Sequence, residues 1–148
     1  MNTRGRHLLV EYCGCDFNVL DDLKRIESLM REAAIAAGTT VVSCVFQPFD
    51  PQGVTGVVVV EESHLSIHTW PEYGYAAVDF FTCGDGVPEA AHRVLFDGLL
   101  AQRAEKMYVE RGMSLDGPSM RKRSHTTEHR APTAAVVGRP PLRVVTPS

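Results

Sequence analysis

The sequence predicts an α+β fold: a two-layer sandwich with helices packed on one face of a mainly antiparallel sheet. Three observations carry this expectation. Several short β-branched or aromatic runs, bounded by Gly, Pro and Asp, read as strands. Two longer stretches repeat apolar residues at three- and four-residue spacing and read as helices. Their order is β-α-β-β-β-β-α-β, which groups the strands instead of alternating them strictly with helices.

The first strand is His7-Leu8-Leu9-Val10-Glu11-Tyr12, followed by a Cys-Gly-Cys-Asp turn. From Asp21 to Ala37 a helix is expected, because Leu23, Ile26, Leu29, Met30, Ala33 and Ala37 make one apolar stripe. Asp21 and Asp22 suit its positive N-terminal end, and Gly38 suits a left-handed residue after its C-terminus. Thr39 to Phe49 reads as a strand, which Pro48, Pro51 and Gly53 break or turn. Val57 to Glu62 is apolar on both faces, so it is central in the sheet or covered on both sides. Leu65 to Thr69 alternates, with Leu65, Ile67 and Thr69 on one face and Ser66, His68 and Trp70 on the other. Pro71 to Gly74 is a turn and Tyr75 to Thr82 a strand. Pro88 opens a second helix, expected to run to about Lys106, with Met107 to Glu110 as a short last strand.

With 148 residues, 44% apolar and 22% charged, the chain has the make-up of one globular domain. That size buries roughly two-thirds of the unfolded surface. Residues 1–120 hold 9 Lys/Arg against 17 Asp/Glu, and residues 121–148 hold 6 against one. The acidic body argues against nucleic acid as a partner. The basic segment from 119 to 148, rich in Pro, Ser and Thr, is expected to be a disordered tail on a domain spanning 1–118. No run is long and apolar enough to cross a membrane, and the N-terminus lacks the apolar core of a signal peptide. A cytoplasmic protein is expected, with Cys13, Cys15, Cys44 and Cys83 as reduced thiols.

The reactive side chains concentrate in Val57–Gly84, VVVVEESHLSIHTWPEYGYAAVDFFTCG. Ser63 with His64 or His68 could be nucleophile and base, but no G-x-S-x-G elbow surrounds the serine. His64 and His68 share a strand face, yet stand about 13 Å apart at ~3.3 Å per residue, too far to chelate one ion unaided. Taken singly, His68 could be a satisfied core histidine and Cys83 a small buried hydrophobe.

The block EESHLSIHTWPEYGYAAVDFFTCG resembles the signature of the prokaryotic S-adenosylmethionine decarboxylase proenzyme family, whose members depend on a pyruvoyl group. Gly5-Arg6-His7, Cys15-Asp16 and Pro51-Gln52-Gly53-Val54-Thr55-Gly56 extend the likeness over about residues 4–113. The resemblance implies self-cleavage between Glu62 and Ser63 into chains 1–62 and 63–148. In that chemistry the serine hydroxyl attacks the preceding carbonyl and exchanges the amide for an ester. Loss of the α-proton eliminates the acyl group, and the resulting dehydroalanine hydrolyses to a pyruvoyl group and ammonia. His68 is implied as the proton acceptor in processing, and Thr55, which keeps the hydroxyl of the serine found in many relatives, as its support.

The same likeness implies that the pyruvoyl on residue 63 forms a Schiff base with the substrate, S-adenosylmethionine. Cys83 is implied as the proton donor in catalysis. Phe49 matches an aromatic that stacks on adenine, Trp70 offers a second wall facing the sulfonium, and Glu72 suits the ribose hydroxyls. The product would be decarboxylated S-adenosylmethionine for spermidine synthesis, made by a dimer of cleaved pairs with both protomers at each site. Two alternatives stand beside this: ornithine or arginine as substrate, and a non-catalytic, unprocessed subunit. Retention of Phe49, Trp70 and Glu72 favours the nucleoside, since a small diamino acid needs no adenine wall.

Overall fold

The computed structural model describes residues 3–132 and 144–145. One antiparallel sheet of eight strands runs in the order β2-β3-β4-β5-β1-β6-β7-β8. The strands are β1 (Gly5–Cys13), β2 (Val41–Pro48), β3 (Val54–Val60), β4 (Ser63–Trp70), β5 (Tyr75–Cys83), β6 (Arg103–Ser114), β7 (Gly117–Arg130) and the two-residue β8 (Val144–Val145). Helices α2 (Leu23–Ala36) and α3 (Pro88–Gly98) pack on each other and on one face of the sheet, after the short α1 (Phe17–Leu20). The two-layer α+β sandwich expected from the sequence is therefore the observed fold.

Strict alternation divides the sheet into a covered and an open face. Leu8, Val10, Tyr12, Val58, Val60, Leu65, Ile67, Val78 and Phe80 point under the helices and are buried. They meet Ile26, Leu29, Met30 and Ala33 of α2 and Ala91, Leu95 and Phe96 of α3. Asp22 caps α2 by accepting from the Arg25 N–H at 3.1 Å, and Gly38 takes the left-handed conformation (φ +80°) just past its end. Gly98 leaves room for α2: a Cβ there would lie 2.3 Å from Leu29 Cδ2. The Val57–Val60 run is covered on one side only. Val58 and Val60 are core, whereas Val57 and Val59 stand on the open face with Leu9 and Val45.

Two segments depart from the sequence reading. The second helix stops at Gly98, not near Lys106, because Leu100 turns left-handed (φ 57°) and β6 starts at Arg103. Pairing of Arg103–Arg111 along β1 overrides the helical preference of that stretch. The tail expected from residue 119 begins as a strand: β7 pairs with β6 from Gly117 to His129 and carries the wholly buried Glu128. The remainder of that expectation, residues 133–143 and 146–148, lies outside the described residues.

Candidate active site

The reactive residues lie at two ends of the sheet; Thr55, His68, Trp70 and Cys83 alternate onto the open face, whereas Ser63 is in phase with Leu65 and Ile67 where β4 leaves the turn. At one end β3 turns into β4 through Glu61 and Glu62, and Glu62 holds φ 67°. A left-handed backbone at a glutamate is a strained state costing about 1–3 kcal/mol. That backbone belongs to the residue whose carbonyl forms the peptide bond to Ser63. The Ser63 hydroxyl donates to the Glu62 carbonyl oxygen at 2.5 Å, so the nucleophile already rests against the group it would attack. The Cys83 backbone N–H, arriving on β5, donates to the same Ser63 Oγ at 2.9 Å. Arg6 fastens the loop after Cys83 by donating to the carbonyls of Gly84 and Gly86.

Beside this end the open face carries an ordered polar group. His64 of β4, Phe81 of β5 and His7 of β1 lie in one cross-strand row. A Cβ on Gly5 would stand 2.4 Å from the Phe81 ring, so only glycine lets that ring lie over β1. Arg111 Nη1 lies 3.2 Å from His7 Nδ1. A guanidinium can only donate, so Nδ1 accepts and the His7 proton sits on Nε2, which faces Asp79 Oδ1 at 3.4 Å. Ser66 donates to Asp79 Oδ2 at 3.1 Å. The His7 contact, together with Ser66, holds the Asp79 carboxyl below the usual range against the effect of burial. Burial, with repulsion from His7 and Arg111, pushes His64 below its ordinary value, and Asp79 partly opposes this. His64 is thereby a neutral imidazole next to Ser63 near neutrality. Sequence reasoning assigned no role to His7, Asp79 or Arg111. Their only signal was the Gly5-Arg6-His7 triplet, because the register of three strands brings them together.

At the other end Thr55 Oγ1 and His68 Nδ1 are hydrogen-bonded at 3.0 Å across the β3–β4 pair. The His68 ring lies 6.3 Å from Trp70, which stacks on Tyr75 at 5.1 Å. Tyr75 donates to Glu11, and burial followed by this carboxylate raises the phenol well above its usual range. Glu72 is exposed in the 3-10 turn Pro71–Tyr73 that follows Trp70. Phe49 is exposed in the β2–β3 connection at this same end, its N–H bonded to the Gly53 carbonyl at 2.8 Å. Phe49 is 53% exposed and Trp70 40%, so neither is a core aromatic.

The chain thus joins Ser63 with Cys83, and Thr55 with His68, Trp70, Glu72 and Phe49, but it does not join the two groups. His68 is five residue steps along the strand from Ser63, about 16 Å. Among the described residues, no cluster of three His, Cys, Asp or Glu side chains could hold a metal ion.

Comparison with known proteins places this architecture first among decarboxylases. The crystal structure of the adenosylmethionine decarboxylase from Aquifex aeolicus superposes with a TM-score of 0.68 at 36% identity, covering 80% of this chain and 99% of that one. The profile of the family described as S-adenosylmethionine decarboxylase matches residues 6–112, and the chain belongs to that family. The S-adenosylmethionine decarboxylase proenzyme of Pelotomaculum thermopropionicum is 53% identical over 114 residues, 76% of this chain and 90% of the relative. The proenzyme of Caldanaerobacter subterraneus subsp. tengcongensis is 62% identical over 87 residues, 59% of this chain and 70% of the relative.

Proposed function

We propose that the chain is a self-processing carboxy-lyase that releases CO2 from S-adenosylmethionine, using a pyruvoyl group made from Ser63. The observation that carries this is the Ser63 hydroxyl, 2.5 Å from the carbonyl oxygen of a left-handed Glu62. An acyl shift needs a strained, immobilised peptide and a hydroxyl at its carbonyl; both are present. Cleavage leaves chains 1–62 and 63–148 interlocked, since β1 of the first lies between β5 and β6 of the second.

The residues divide the work. Cys83, whose N–H meets Ser63 Oγ, brings its thiol to the end where the product's α-carbon must be protonated. His68 accepts the Ser63 α-proton during processing, and the Thr55 hydroxyl fixes its Nδ1. A pyruvoyl group at position 63 supplies the electron-accepting carbonyl that decarboxylation requires. Phe49 and Trp70 hold the adenine and the sulfonium, and Glu72 the ribose.

His68 is too far from Ser63 in its own chain, so the site is completed by a second copy. Two open faces packed about a twofold axis set the Ser63–Cys83 end of each chain against the His68–Trp70 end of the other. The exposed Leu9, Val45, Val57 and Val59 are the apolar surface such a dimer covers. Among the described residues no helix is long and apolar enough to cross a membrane.

Denaturing mass spectrometry and CO2 release test the reading together. Two fragments divided at Glu62–Ser63 and turnover of S-adenosylmethionine are the expected result. A single intact 16.3 kDa chain, or turnover of ornithine or arginine alone, would contradict it.

A further inference from the structure

β7 lies beyond the family match, which ends at residue 112. Its only wholly buried residue is charged: Glu128 has no solvent exposure. One carboxylate oxygen lies 2.9 Å from His92 Nε2 and 3.0 Å from Lys106 Nζ. The other lies 2.7 Å from Arg93 Nη2. His92 is itself fully buried, and its Nδ1 meets the Tyr12 hydroxyl at 2.7 Å. The carboxylate can only accept from Nε2; in the neutral ring the Tyr12 O–H then donates to Nδ1, and the imidazole links the two. Lys106 completes the group with Glu89 at 3.4 Å. Two residues on, Arg130 donates to the carbonyls of Ala101 at 2.7 Å and Phe96 at 2.9 Å and lies over the Phe96 ring. It thereby closes the C-terminal end of α3.

We propose that His92, Arg93 and Lys106 form a carboxylate-binding site inside the catalytic domain, and that Glu128 on the C-terminal strap β7 is its built-in ligand. All three cationic or donor groups belong to the family-matched body, whereas the anion comes from outside it. Lys106 is 9% exposed at its side chain, so without the Glu128 carboxylate the site would hold buried charge answered, among the described residues, by Glu89 alone. The strap has a second consequence, which rests on the self-cleavage proposed above. Tyr12 lies in chain 1–62, while His92 and Glu128 lie in chain 63–148. The relay Tyr12–His92–Glu128 then bridges the two chains through the core.

The experiment uses the full-length chain carrying Glu128→Ala, with sodium formate as the probe. The substitution should lower Tm by about 10 °C, the scale set by one member of a buried ion pair left alone. Formate should restore Tm saturably in the variant and leave the wild type unchanged, with sodium chloride as control. If Glu128→Ala does not fold, Glu128→Gln, which keeps the volume but not the charge, should melt several degrees below wild type. An unchanged Tm in the variant examined, or a formate effect equal to that of chloride, overturns the site. Denaturing mass spectrometry reads cleavage separately. An uncleaved wild type removes only the bridging role, and the formate response still decides the site.

Discussion

The two ends of the sheet are built alike and prepared differently. Each is a β-turn beside a reactive strand residue, and each gathers side chains from neighbouring strands. The Ser63 end pairs a left-handed Glu62 and a hydroxyl against its carbonyl with a half-buried His64 whose titration is pushed down by burial. The His68 end is relaxed and open, with exposed aromatics around a hydrogen-bonded imidazole. The first arrangement suits bond breaking within the chain, and the second suits reception of a flat, cationic nucleoside. On the proposed function, neither end is an active site alone.

Substitutions separate these roles most strongly at the Ser63 end. Ser63→Ala should remain one chain and lose all measurable decarboxylation, read by denaturing mass spectrometry and CO2 release. Cys83→Ala should still cleave, because its contact with Ser63 is through the backbone N–H, but turnover should fall by about 10²–10⁴-fold. At the other end, Phe49→Ala or Trp70→Ala should raise KM for S-adenosylmethionine by about 3–10-fold, the worth of one aromatic contact, with cleavage unchanged. Impaired cleavage in either variant would erase the distinction between the ends. Glu62→Gly tests the strain itself: glycine accepts φ 67° at little cost, so cleavage should slow several-fold in a time course. The smallest effect is on pH. His64 titrates lower in the folded chain than unfolded, so the unfolded state binds more protons as pH falls below about 6.5. The precursor's Tm should therefore decline from pH 7 to pH 5, and His64→Gln should flatten that decline.

Most strands and both long helices were legible because their burial follows the 2.0 and 3.6 periods of the sequence. β7 was not. Its residues GPSMRKRSHTTEHR carry almost no apolar alternation, since the strand is held by pairing with β6 and by one buried carboxylate. The Asp116-Gly117 pair at its start, with Gly117 at φ +112°, was the available hairpin signal. Ser63, His68 and Cys83 stood out through their motif, and strand spacing alone already separates Ser63 from His68. His7, Asp79 and Arg111 stayed hidden because β1 enters the sheet between β5 and β6, an order that local sequence does not encode.

In the proposed enzyme each site joins the Ser63 end of one chain to the His68 end of another. Co-expressing Ser63→Ala with His68→Ala tests it, with cleavage of each chain followed by mass. Alone, the first should not cleave and the second should cleave slowly. In the mixture the His68→Ala chain should cleave at a rate approaching wild type, since its intact Ser63 meets the imidazole of the other chain. A His68→Ala chain that cleaves no faster in the mixture than alone would contradict the account.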